Sequence, residues 1–125
     1  MLAEDEEDAR MIYLDILNNT EWNIDGAENG QVTLDKLAAK RYDLLLLDII
    51  MPDLDGLTVL SELKKNPEKY GKPKVVMLTN IGGDLAIEKA LGMGALGYML
   101  KSETEPEGLV ESVRSYLEKG QAPAK

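Results

Sequence analysis

A chain of 125 residues is long enough to bury the core of one domain and too short for two. Its formal net charge of −9 repels phosphate backbones and anionic lipid headgroups, which excludes nucleic acid and membrane as partners held by bulk charge and favours a basic protein or a cation. Without cysteine or histidine, disulfides, thiolate or imidazole metal sites and Ser-His triads are excluded, so any chemistry must run on carboxylates, hydroxyls and lysines.

In chain order, Met1-Leu2-Ala3 is a very short apolar opening, followed at once by Glu4-Asp5-Glu6-Glu7-Asp8. Carboxylates there suit the positive end of a helix dipole, and Ala9, Ile12, Tyr13, Ile16 and Leu17 recur at helical spacing up to Asn18-Asn19. Trp22 to Ala27 reads as a second strand and Asn29-Gly30 as a turn. Leu34, Leu37 and Ala38 mark the buried face of a second helix ending near Lys40. After Leu44 to Asp48, discussed below, Leu57, Leu60 and Leu63 predict a third helix, which Asn66-Pro67 terminates. Tyr70-Gly71-Lys72-Pro73 is a loop before the apolar strand Val75 to Leu78, which stops at Thr79. Gly82-Gly83 opens a loop, Asp84 can cap a helix carrying Leu85, Ala86, Ala90 and Leu91, and Gly92 and Gly94 close it. Gly97 to Leu100 is the last strand, ending at Lys101, and Pro106 starts a final helix with Leu109, Val110, Val113 and Leu117 on one face. Residues 121–125 read as a frayed tail behind a domain of residues 1–120. Strand and helix thus alternate five times, which implies right-handed βαβ units and a parallel sheet.

The chain is organised around Leu44-Leu45-Leu46-Leu47-Asp48-Ile49-Ile50-Met51-Pro52-Asp53-Leu54-Asp55-Gly56. Four leucines without alternation fit a strand covered on both faces. Pro52 and Asp55-Gly56 supply turn chemistry, so Asp48 stands where the strand's carboxyl end meets a loop, the edge at which open α/β sheets bind ligands. If all strands are parallel, Glu4-Asp5, Asp48, Thr79 and Lys101 converge on that edge. Glu4, Asp5, Asp48 and Lys101 sum formally to −2, and a divalent ion preferring hard oxygen ligands, Mg²⁺ above all, would neutralise them. An aspartate in such a setting can attack a phosphoryl group and form an acyl phosphate, with the cation, the lysine and the threonine hydroxyl stabilising the transferring oxygens.

The string LLLLDIIMPDLDG closely resembles the phosphoacceptor segment of the response-regulator receiver domain, and the resemblance extends over almost the whole chain. It implies a doubly wound, five-stranded parallel α/β sheet of CheY-like order 2-1-3-4-5 with five helices and a shortened first strand. It also implies phosphorylation of Asp48 by the phosphohistidine of a sensor histidine kinase or histidine phosphotransfer protein. Asp5 would bind Mg²⁺, or Mn²⁺, directly and Glu4 through water, with Asp48 and the Ile50 backbone carbonyl as further ligands. Thr79 and Lys101 would grip the phosphoryl group, and Tyr98 would be the switch aromatic that turns inward as Thr79 moves. Output would pass to a downstream protein through the family's fourth helix, fifth strand and fifth helix, in a signalling switch rather than an enzyme. A phosphorylation-dependent homodimer is open to it. With no apolar run near the ~18 residues of a membrane span and an acidic opening where a signal peptide would be basic, the location expected is cytoplasmic.

Three departures stand out. Only Met1, Leu2 and Ala3 precede the acidic pair, so the central strand lacks apolar residues that are each worth ~1.5–3 kcal/mol when buried; a misplaced start or a trimmed chain is one expectation, a weakened or swapped domain another. Ser102 stands where the family often has a proline preceded by a cis peptide, and Asn80 where a smaller residue is common. Apolar Ile50 and Ile81, flanking the site, predict slow attack of water on the acyl phosphate. The main rival is a pseudo-receiver that keeps the fold as a protein-binding scaffold without phosphorylation. Asp53, Asp55, Gly56 and Glu62 mimic calcium-loop positions, but Met51 and Pro52 occupy the first two. A haloacid-dehalogenase-type phosphatase would need an aspartate at Ile50, and a flavodoxin-like carrier would need a Ser/Thr-rich loop after the first strand.

Overall fold

The computed structural model describes residues 1–52, 54–79, 84–101 and 106–118. Five parallel strands lie in the order β2-β1-β3-β4-β5: β1 (Leu2–Ala3), β2 (Gly26–Ala27), β3 (Leu44–Asp48), β4 (Lys74–Thr79) and β5 (Gly97–Leu100). Six helices connect and follow them: α1 (Glu7–Asn18), α2 (Gly30–Ala39), α3 (Gly56–Lys65), α4 (Pro67–Tyr70), α5 (Asp84–Gly92) and α6 (Pro106–Glu118). The leucine run explains the layering. In β3, Leu45 and Leu47 face the cluster built with Leu37, Val59, Leu60 and Ile87 of α2, α3 and α5, while Leu44 and Leu46 face Leu17 of α1 and Leu109 and Val113 of α6. A strand with both faces covered has no need of polar alternation.

β1 is as short as expected, yet it sits between β2 and β3, with Leu2 in register with Gly26 and Leu46 and Ala3 with Ala27 and Leu47. Hydrogen bonds extend the ladder beyond the two strand residues, from Leu46 N to the Met1 carbonyl at 2.9 Å and from Glu4 N to the Ala27 carbonyl at 3.0 Å. This shortness limits β2 in turn. Where the sequence predicts a strand from Trp22, only Gly26–Ala27 pairs, because β1 offers no further partners and side chains take the amides upstream: Thr20 Oγ1 accepts from Trp22 N and Asn18 Oδ1 from Ile24 N.

Other expectations shift locally. Asn29-Gly30 is a helix start rather than a turn, since Asn29 Oδ1 accepts from Val32 N at 2.8 Å and caps α2. Asp84 is the first residue of α5, not its cap. Asn66-Pro67 ends α3 but does not lead straight into a loop: Pro67, well placed at a helix N-terminus, starts the one-turn α4 and makes six helices of the expected five. The predicted face of α1 holds for Tyr13, Ile16 and Leu17, but Ile12 is more than half exposed and Leu14 packs over Gly26. Ala38 of α2 and Leu85 of α5 are likewise exposed; Thr33 and Ile87 are buried in their helices instead. Asn80, Ile81, Gly82-Gly83, Ser102 and residues 121–125 lie outside the described residues, as does Asp53.

Candidate functional site

Parallel strands place their carboxyl ends on one edge, and each polar residue predicted there follows or closes a strand. The backbone ladder that carries Glu4 against Ala27 also ends β1, so the Glu4 side chain is delivered into the sheet edge, where it is fully buried. Asp48 closes β3 in register with Leu78 and is 3% exposed. Lys101 follows Leu100 of β5, and its Nζ lies 2.9 Å from Asp48 Oδ2 and 2.8 Å from Glu4 Oε1. Carboxylate oxygens of Glu4, Asp5 and Asp48 fall within 4.8 Å of one another. Thr79, buried, stands one residue beyond the register partner of Asp48 on β4. Ile50 N reaches Asp48 Oδ1 at 3.3 Å, while the Ile50 side chain is three-quarters exposed. Tyr98 sits apart, in register with Met77 and partly exposed.

Electrostatics follow from burial. Desolvation pushes Asp48 up to about 7, the neighbouring Glu4 charge adds to it, and the Lys101 hydrogen bond offsets part of it. Burial works to lower Lys101, but the Glu4 and Asp48 carboxylates outweigh it and hold the ammonium above its ordinary value. One lysine therefore serves two buried carboxylates, with Asp5 beside them in solvent. Glu4 Oε2 accepts from Glu6 N at 3.1 Å, whereas Glu4 Oε1 is buried in ion-pair contact without an aligned hydrogen-bond donor. A buried oxygen of that kind, among three hard carboxylates, is a donor set that fits a small divalent cation.

Three residues that shape this edge are not apparent from sequence motifs. Arg10 donates from Nη1 to the carbonyls of Glu4 at 2.9 Å and Asp5 at 3.4 Å, clamping the acidic turn. Tyr13 of α1 is close enough to feel Lys101, Glu4 and Asp48, and burial raises its phenol. Gly56, read only as a turn residue, lies so close to the Asp48 carbonyl and Ile49 Cα that any Cβ would collide with them, and Gly56 N donates to the Ile49 carbonyl at 2.7 Å. No local spacing signals these tertiary contacts. Among the described residues of the calcium-loop pattern, Asp55 Oδ1 instead accepts from Thr58 N and caps α3, and Glu62 Oε1 accepts from Asn66.

The family model for the response regulator receiver domain matches residues 1–114. The chain belongs to this family. The receiver is similar to that of NtrX from Brucella abortus, at 27% identity and a TM-score of 0.83, with 95% of this chain and 98% of that one covered. It is similar too to the receiver domain of AraT, a response regulator from Geobacillus stearothermophilus, at 28% identity and a TM-score of 0.78, covering 94% and 91% of the two chains. Chemotaxis protein CheY4 of Vibrio cholerae shares the fold at 21% identity and a TM-score of 0.82, with 92% and 94% covered. Among the described residues no helix is long and apolar enough to cross a membrane.

Proposed function

We propose that this receiver takes a phosphoryl group from the phosphohistidine of a sensor kinase or phosphotransfer protein onto Asp48, with Mg²⁺ bound by Glu4, Asp5 and Asp48. The observation that carries the reading is the cluster itself: two buried carboxylates share one lysine, and a third carboxylate stands within 4.8 Å. In the transfer, an Asp48 carboxylate oxygen forms a bond to phosphorus as the phosphorus–nitrogen bond breaks, and the imidazole leaves with that electron pair. Lys101, already against Asp48 Oδ2, offsets charge on the transferring oxygens, and the Thr79 hydroxyl donates to one of them. When bound, Mg²⁺ supplies the positive charge that the carboxylate cluster lacks and polarises the phosphoryl group.

The switch then acts through protein contacts, as Thr79 and Tyr98 rearrange the surface of α5, β5 and α6 toward a downstream partner or a second copy. A short β1 is the feature that favours a non-phosphorylated scaffold, but Leu2 and Ala3 pair on both sides and still place Glu4 beside Lys101. Incubation with acetyl phosphate and Mg²⁺, followed by intact-mass measurement, separates the two readings. Wild type is expected to gain one phosphoryl group, Asp48→Asn none, and chelation of the metal prevents the gain. An unmodified wild type, or equal labelling of Asp48→Asn, overturns the proposal.

A further inference from the structure

At the opposite edge of the sheet, where β4 begins, a cavity of about 460 Å³ opens between the end of α3 and the turn before β5. Sites for small molecules span ~300–1,000 Å³. Its floor is apolar, with Leu63 and Val75 buried and Leu96 half-buried. Its mouth carries Lys64, Lys72 and Lys74, and none of the described lining residues is acidic. In a chain with 23 carboxylates and 14 cations, three lysines around one hollow with no carboxylate among its described lining are an arrangement that random placement disfavours.

The three lysines differ in engagement. Lys74 Nζ donates to the Leu117 carbonyl at 2.6 Å, which fixes its charge at the negative end of α6. Lys64 and Lys72 have no carboxylate partner among the described residues. The Lys64 side chain lies over Gly94, whose φ of +106° suits glycine and whose missing Cβ leaves the room that the ammonium occupies. Two unpaired ammonium groups over an apolar floor complement a ligand that is apolar at one end and anionic at the other.

We propose that this cavity binds a small organic anion, its apolar body on Leu63, Val75 and Leu96 and its carboxylate, sulfonate or phosphate between Lys64 and Lys72. The site shares α3 and β4 with the phosphoacceptor edge but none of its side chains. Titration of the full chain with 1-naphthalenesulfonate, followed by amide NMR, tests it. Saturable shifts are expected on residues 63–75 and 94–96, with at least tenfold weaker binding of the uncharged 1-naphthalenemethanol. Lys64→Gln combined with Lys72→Gln, both exposed positions, is expected to weaken the sulfonate at least tenfold, while Asp48→Asn leaves it unchanged. Equal binding of the neutral probe, shifts spread over other surfaces, or a double variant that binds as wild type each overturns the proposal. So does a hexaglutamate peptide that binds these residues when the naphthalenesulfonate does not, an outcome that assigns the face to a protein partner.

Discussion

The two ends of β4 present opposite solutions to the same electrostatic problem. At Thr79 the sheet edge gathers carboxylates, two of them buried, around Lys101; about 16 Å away along the strand, at Lys74, it gathers lysines around an open cavity with no carboxylate among its described lining. Burial is what distinguishes them. A charge imbalance inside the protein is felt in full, whereas one at the mouth of a hollow is screened by water and salt. At the phosphoacceptor edge, removing the shared cation strands two buried carboxylates, whereas Lys64 and Lys72 at the lysine edge can change without stranding a buried partner.

The largest effect should come from Lys101→Met. Removing the shared cation leaves Glu4 and Asp48 facing each other in a buried pocket, and breaking a buried ion cluster in this way costs ~3–5 kcal/mol. Urea unfolding at pH 7 without divalent metal measures the loss. The loss should grow from pH 7 to pH 9, as Asp48 gives up its proton and its charge comes to face Glu4 without the lysine. A loss of the same size at both pH values would mean that the lysine stem, not its charge, stabilises the edge.

Next in size is Gly56→Ala. The added methyl meets the Asp48 carbonyl and the Ile49 Cα, backbone atoms that cannot rotate away, so an overpacking cost of ~2–3 kcal/mol is expected despite alanine's better helix propensity. Gly92→Ala provides the contrast, because nothing lies within 4 Å of a Cβ there. It should be neutral or stabilising by up to ~1 kcal/mol, as fewer unfolded conformations remain to be lost. Thermal unfolding of the two variants side by side reads the difference, and equal behaviour would remove the close approach behind Asp48 from the account of the site.

The pH dependence sharpens the same point with a smaller effect. Asp48 holds its proton to about 7 in the metal-free fold against an ordinary value of 3.8, so between those values the folded state binds more protons than the unfolded one. Its contribution is therefore least unfavourable below about pH 4 and becomes progressively destabilising as pH rises to 7. Wild type should lose stability relative to Asp48→Asn across that window, and saturating Mg²⁺ should abolish the relative loss. A difference that does not vary with pH, or that Mg²⁺ leaves untouched, counts against a carboxylate cluster short of positive charge.

Much of this was legible in the residues. An unbroken leucine run followed by Asp48 announces a doubly covered strand and its functional end, because burial on both faces and a polar stop are local properties of the chain. Glu4 and Lys101 could be assigned to the same edge once the strands were taken as parallel, although 97 residues separate them. What could not be read depends on distance in space. The retreat of β2 to Gly26–Ala27 follows from its neighbour's length and from Asn18 and Thr20 capturing amides. Gly56 is indistinguishable from any turn glycine until the Asp48 carbonyl lies against it, and Lys64, Lys72 and Lys74 look like ordinary solvent-facing residues until Gly94 and Leu96 close the hollow between them.

The smallest effect belongs to the lysine edge. Replacing Lys64 and Lys72 with glutamine removes two charges that make no ion pair among the described residues, so no buried partner is stranded and the change in unfolding free energy should stay within ~0.5 kcal/mol. Its sign is set by two opposed terms. Relief of repulsion between the ammonium groups stabilises, while the net charge moves from −9 to −11 and self-repulsion grows, so the two nearly cancel. Both are long-range surface terms, and raising the salt concentration to about 1 M, where the screening length falls to ~3 Å, should bring the variant and wild type together. A loss above ~1 kcal/mol that persists in high salt would instead mark the lysine stems as packing that holds α3 to β4, making the two ends of the strand alike in what they contribute to the fold.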